Sequence, residues 1–102
     1  MLRSIAARPD RDQEDWLIVI TSDHGGGGID YDDHGDFSRL DRRILLTISG
    51  DNIRPGLIES DCESSVSHID VYPTIFEYLR IPIEDSWNLD GISRLKWDLS
   101  PK

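Results

Sequence analysis

Apolar residues in this chain gather in short blocks, and the spacing inside each block predicts an element. From Trp16 to Thr21 the run "WLIVIT" is apolar or β-branched at every position. A strand without alternation is covered on both faces, as in parallel sheets flanked by helices. "RILLTIS", from Arg43 to Ser49, reads as a second buried strand closed by Gly50. Farther on, Ile69, Pro73, Ile75, Phe76 and Leu79 recur at mostly three- and four-residue spacing, which predicts an amphipathic helix. Ser67 followed by Asp70 fits an acidic capping box at its start, and Pro73 is tolerated in a first turn. Ile81-Pro82 ends it, because the residue before proline is pushed out of the helical region.

The polar stretches divide these blocks. Leu2, Ile5 and Ala6 have helix-like spacing within Met1 to Ala7, Pro9 stops that turn, and "PDRDQED" is a polar connector. Gly25 to Gly28 force a loop, since each glycine inside a helix or strand costs about 0.5–1 kcal/mol. An acidic loop continues to about Asp41. "DNIRPG" is turn chemistry with Pro55-Gly56 as its strongest signal. The tail "EDSWNLDGISRLKWDLSPK" reads as irregular, with a turn at Asp90-Gly91, and the chain shows no internal repeat.

Strand, loop, strand, helix is an α/β alternation. A sheet of two strands is marginal in water. The expected fold class is therefore α/β, a partial sheet with flanking helices that is incomplete as a stand-alone domain. Residues 1–102 read as the carboxy-terminal portion of a larger α/β sheet.

Composition narrows the possible functions. A chain of 102 residues holds one domain or part of one, and 37% hydrophobic with 30% charged residues suits a globular segment. The apolar runs are far too short to cross a bilayer, so no membrane segment is expected. The first residues lack the continuous apolar core and cleavage site of a secretory signal. A formal net charge of −9 argues against binding a nucleic-acid backbone, which needs a clustered basic face. The single Cys62 excludes an intrachain disulfide and a cysteine-built zinc cage, and reads as a small filler.

The chemistry concentrates in "TSDHGGGG", Thr21 to Gly28, just past the first strand. Ligands of open α/β sheets gather at the carboxyl ends of strands, so Asp23 and His24 are well placed. Carboxylate and imidazole are the usual zinc and manganese ligands. The glycines let neighbouring side chains leave strand geometry and reach one ion. The plainer alternative is a turn in which Asp23 bonds backbone amides and His24 is a polar surface residue. Asp30, Asp32, His34, Gly35 and Asp41 also match calcium-loop positions, but the last ligand is not Glu and the flanking helices are missing. Ser22 adjoins His24 without a Gly-x-Ser-x-Gly elbow, and the glycines lack the Lys-Ser/Thr end of a phosphate loop. His68 reads as a first-turn polar residue, and Trp16, Trp87 and Trp97 read as packing residues.

With these residues in view, "DWLIVITSDHGGGGIDYDDHG" resembles the final metal-ligand segment of the alkaline phosphatase superfamily, in its phosphodiesterase, nucleotide pyrophosphatase and sulfatase-like branches. "RRILLTISGDNIRPG" resembles that family's strand and turn written Arg-x-Pro-x-x-x-x-Gly, "VSHIDVYPTIFEYLRI" its Asp-x-x-Pro-Thr-Ile helix start, and "LDGISRL" its Asp-Gly-x-Ser-Leu element. The order agrees over roughly Asp15 to Leu95. The resemblance implies that Asp23 and His24 ligate one metal of a dinuclear site and that His34 ligates the other. It implies two zinc or manganese ions acting on a small-molecule phosphate or sulfate ester. A His at position 24 favours the two-metal branches, because similar sulfatases carry Asn or Gln there with one calcium.

The chain also departs from that family. Leu45 stands where the family often has Pro, and Arg80 where a Gly usually ends the helix. The family's nucleophile and upstream ligands match nothing here. The implied function is a fragment of a metal-dependent phosphoric or sulfuric ester hydrolase, inactive alone. The alternatives are a non-enzymatic acidic metal-binding or protein-interaction module derived from the same fold, or a plain α/β piece whose Asp23 and His24 only shape a turn.

Overall fold

The computed structural model describes residues 1–26, 39–58 and 65–100. Helix α1 (Leu2–Ala6) is followed by strand β1 (Leu17–Thr21), strand β2 (Leu46–Gly50) and helix α2 (Val71–Tyr78). Short 3-10 turns cover Arg11–Gln13, His68–Asp70 and Asp85–Trp87. The mixed α/β class expected from the sequence is present.

The strands pair antiparallel, with Leu17 opposite Gly50 and Thr21 opposite Leu46. This corrects the expectation of parallel strands. An uninterrupted apolar run reports that both faces of a strand are covered, and carries no information on its direction. Helices lie on opposite sides of β1, but the burial expected on both faces is only partial: Leu17, Ile18 and Val19 are half-buried, and Ile20 is 45% exposed. Leu17 and Val19 line a cleft of about 540 Å³ with Ile75, Tyr78 and Leu79 of the α2 segment. Ile18 lines a smaller one with Leu2, Ile5 and Ala6 of α1. The second strand also begins later than expected, at Leu46. Beyond the paired segment, the Ser22 amide donates to the Leu45 carbonyl at 3.3 Å and the Asp51 amide to the Trp16 carbonyl at 3.0 Å. By alternation, the peptide groups of Leu17, Val19 and Thr21 face the edge away from β2.

The polar connector between α1 and β1 fastens the sheet's entrance. Arg8 grips Glu14 through two bonds of 2.7 and 2.6 Å and lies 5.4 Å above the Trp16 ring. Arg11 holds Asp51 through bonds of 2.8 and 2.9 Å, while the Asp51 carboxylate accepts the Trp16 amide at 2.7 Å. The tight point of the β2 exit is Asn52, at φ 63°, ahead of the Pro55-Gly56 pair that the sequence emphasised. The tail is less irregular than expected. Ile53 bridges Trp97, with the Arg54 amide donating to Lys96 and the Asp98 amide to Asn52, both at 2.7 Å.

Helix α2 forms as its sequence dictates. The Asp70 carboxylate reaches back to the Ser67 amide at 3.0 Å, the return half of a capping box. At the other end, the Arg80 amide donates to Glu77 and the Ile81 amide to Phe76, a Schellman closure with Arg80 at φ 55°. Arg80 therefore adopts the left-handed conformation that a glycine normally supplies there. Tyr72, Phe76 and Trp87 form a ring cluster, with Tyr72 and Phe76 centroids 4.2 Å apart. Trp97 stacks on Tyr78 at 5.7 Å and donates to Glu77 at 2.8 Å.

The centre of the described residues is polar. Their buried residues are Asp41, Asp70, Pro73 and Thr74, and no large apolar side chain among them is buried. Asp70 accepts from the Ser67 and Ile92 amides and from Nε of Arg94. Thr74 Oγ1 donates to the Asp70 carbonyl at 2.5 Å and accepts the Arg94 amide at 3.0 Å. Gly91, expected in a turn with Asp90, instead permits a close crossing: a Cβ there would meet the Ile69 carbonyl oxygen at 2.1 Å. Leu45, Ile69 and Leu79 stay more than half exposed. Hydrophobic burial is the main driving force of folding, and this arrangement uses little of it. No helix among the described residues is long and apolar enough to cross a membrane.

Candidate metal centre

Strand β1 ends at Thr21, and the next four residues are held by three separate parts of the chain. Ser22 Oγ accepts the Leu45 amide at 3.0 Å, ahead of β2. The Gly25 amide donates to the Asp41 carbonyl at 2.8 Å. Nε2 of His68 lies 2.6 Å from the Ser22 carbonyl oxygen, and because a carbonyl only accepts, Nε2 is the protonated nitrogen. Gly25 is required sterically. A Cβ at that position would meet the Leu40 and Arg43 carbonyl oxygens at 1.9 and 2.6 Å.

Within this clamp Asp23 and His24 turn towards each other. Asp23 Oδ1 accepts the His24 amide at 2.9 Å. His24 Nδ1 lies 2.5 Å from the Gly25 carbonyl oxygen, so Nδ1 carries the proton and the ring's lone pair is on Nε2. Nε2 faces Asp23 Oδ2 at 3.6 Å. The hydrogen bond from the His24 amide holds the Asp23 carboxyl below its ordinary pKa. Asp23 is thus a carboxylate at neutral pH, with its side chain 88% exposed.

This donor pair fits a divalent ion. Bonds of about 2.0–2.2 Å at near-tetrahedral angles place two ligand atoms of one zinc about 3.2–3.8 Å apart. The 3.6 Å between Nε2 and Oδ2 falls in that range. A ligating imidazole usually donates its other ring N–H to a carbonyl or carboxylate, as His24 does to Gly25. Asp23 and His24 are neighbours in sequence, and the turn they form also has the features of the plainer alternative, with Asp23 bonded to a backbone amide and both side chains exposed. His34, the third expected ligand, lies outside the described residues, as do Asp30, Asp32 and Gly35 of the calcium-loop alternative and Cys62. Asp41, the last position of that alternative, is buried and gives its carbonyl to Gly25. Among the described residues, no group of three or more His, Cys, Asp or Glu side chains converges on one point.

Sequence reasoning missed the position of His68. It sits in a first turn, as expected, yet its ring reaches the strand end that carries Asp23. Periodicity could not reveal this, because the contact joins residues 46 positions apart. The one available signal was that an α/β alternation tends to bring a helix start near a strand's carboxyl end. Ser22, considered as a nucleophile, is instead engaged at the strand end through both its hydroxyl and its carbonyl. No family model, curated protein or solved structure matches this chain.

Proposed function

We propose that the chain is the carboxy-terminal part of a metal-dependent phosphoric or sulfuric ester hydrolase of the alkaline phosphatase type, contributing Asp23, His24 and His34 to a dinuclear site. The observation that carries this reading is the 3.6 Å approach of His24 Nε2 to Asp23 Oδ2 at the end of β1, with Nδ1 committed to the Gly25 carbonyl. Asp23, His24 and His34 would hold divalent ions, which would supply a clamp for a tetrahedral ester and charge stabilisation for the attacking and leaving oxygens. The role of this chain is narrower. Asp23 supplies a negative oxygen at neutral pH, Gly25 allows the close turn, and the Leu45, Asp41 and His68 contacts hold the segment in place.

Zinc and manganese titration by calorimetry tests the reading. Wild-type chain should bind, and the Asp23→Ala/His24→Ala double variant should not. Equal binding by both would refute the ligand assignment. Hydrolysis of an aryl phosphate or phosphodiester by the chain alone is not expected, since no residue here matches the family's nucleophile. Activity lost with chelator and in His24→Ala would overturn that part.

A protein-interaction module on the same fold is the second reading. The outward edge of β1, between apolar clefts on both faces of the strand, favours it. A folded chain that binds neither zinc nor manganese would shift the balance to this reading.

A further inference from the structure

We infer that His68 is a positioning residue for the Asp23–His24 pair, coupling the metal-binding turn to the polar centre of the molecule. The inference rests on the proposed metal site and deepens it. The bond from His68 Nε2 falls on the Ser22 carbonyl, the peptide that leads directly into Asp23. Orienting that peptide plane limits the Asp23 backbone, and with it the direction of the Asp23 Cβ and carboxylate. The bond also lies past the paired part of the sheet, which runs from Leu17 to Thr21 on this strand. It adds no rung to the ladder, and the same carbonyl also accepts from Thr21 Oγ1 at 3.2 Å.

The other end of the link is firmly held. His68 is in the 3-10 turn His68–Asp70, two residues before the carboxylate that accepts from Ser67, Ile92 and Arg94. The close crossing of Gly91 over Ile69 packs the same turn from outside. Side-chain bonds at Asp70, the short turn that follows His68 and the exposed His68 bond thus connect Arg94 to the Ser22–Asp23 peptide. Partners that orient a ligand typically change metal affinity by about 10–100-fold when removed. The mostly exposed turn at Asp23 needs such support more than a buried ligand would.

The test compares the full chain with His68→Ala and His68→Gln. Glutamine keeps an N–H donor on a chain long enough to reach the same carbonyl. His68→Ala should weaken zinc binding in calorimetry roughly tenfold. In the metal-free chain it should also move the amide resonances of Asp23, His24 and Gly25, while the far-ultraviolet circular dichroism stays that of wild type. His68→Gln should recover most of the affinity. If His68→Ala binds zinc as wild type does while Asp23→Ala/His24→Ala does not, the positioning role fails and the metal site stands. If wild type binds no zinc, the metal-site reading fails and takes this inference with it. A His68→Ala chain that loses its fold leaves His68→Gln to decide, and a folded glutamine variant with affinity no better than a tenth of wild type overturns the donor role.

Discussion

Arg94 Nε donates to Asp70 Oδ2 at 2.8 Å, joining residues 24 positions apart, and the carboxylate is only 3% exposed. The same carboxylate takes the Ile92 amide at 2.9 Å and the Ser67 amide at 3.0 Å. One side chain thus closes the start of α2, the tail after Gly91 and an ion pair. Removing one partner of a buried pair costs about 3–5 kcal/mol, because the other charge is stranded. Asp70→Ala should lose stability of that order in urea unfolding. A loss below about 1 kcal/mol would show that the pair is incidental.

Acid should weaken the fold in a defined window. Burial works to raise the Asp70 pKa, but the Ile92 and Ser67 amides and Arg94 outweigh it, so the net shift is downward. Glu14, bonded to Arg8 and Trp16, is lowered from 4.5 to about 2. A carboxyl with a depressed folded pKa contributes stability above its unfolded pKa and loses it as pH falls through the folded one. Stability should be level above about pH 5 and decline between about 4.5 and 2. Urea midpoints measured at intervals from pH 6 to 3 would check this, and Glu14→Gln should remove part of the slope.

Arg80 offers the opposite change. An L-residue in the left-handed region pays roughly 1–2 kcal/mol that glycine avoids, and Arg80 sits there at φ 55°. Arg80→Gly should therefore stabilise the chain by about 1 kcal/mol, seen as a higher urea midpoint with an unchanged slope. A lower midpoint would mean that the Arg80 side chain contributes more than its backbone costs.

Gly25→Ala should damage the turn without touching either proposed ligand. Its Cβ would press on the Leu40 and Arg43 carbonyls, which are backbone and cannot rotate away. Zinc affinity should fall while the α2 helix signal in circular dichroism persists. Undiminished affinity would show that the turn reaches its ligand geometry by another path.

The elements were legible in the sequence where a local rule governed them. Ser67 and Asp70 announced the start of α2, and the β-branched run announced β1. Strand direction was not legible, because an uninterrupted apolar run is the same signal in either orientation. The end of α2 was half legible: Ile81-Pro82 marked the place, but the closure is made by Arg80, a residue with no intrinsic preference for it. The Asp70–Arg94 link and the His68–Ser22 bond join distant stretches through single polar contacts, which leave no periodic trace.

A centre built of Asp70, Arg94 and Thr74 also sets how the chain responds to temperature. The heat capacity of unfolding rises with the apolar surface exposed and falls with the polar surface. Ordinary domains gain about 12–15 cal/mol/K per residue, and a chain whose described residues bury no large apolar side chain should gain distinctly less. Its stability curve is then shallow. Cooling would cost it little, and warming would loosen it over a broad range instead of at a sharp melting point.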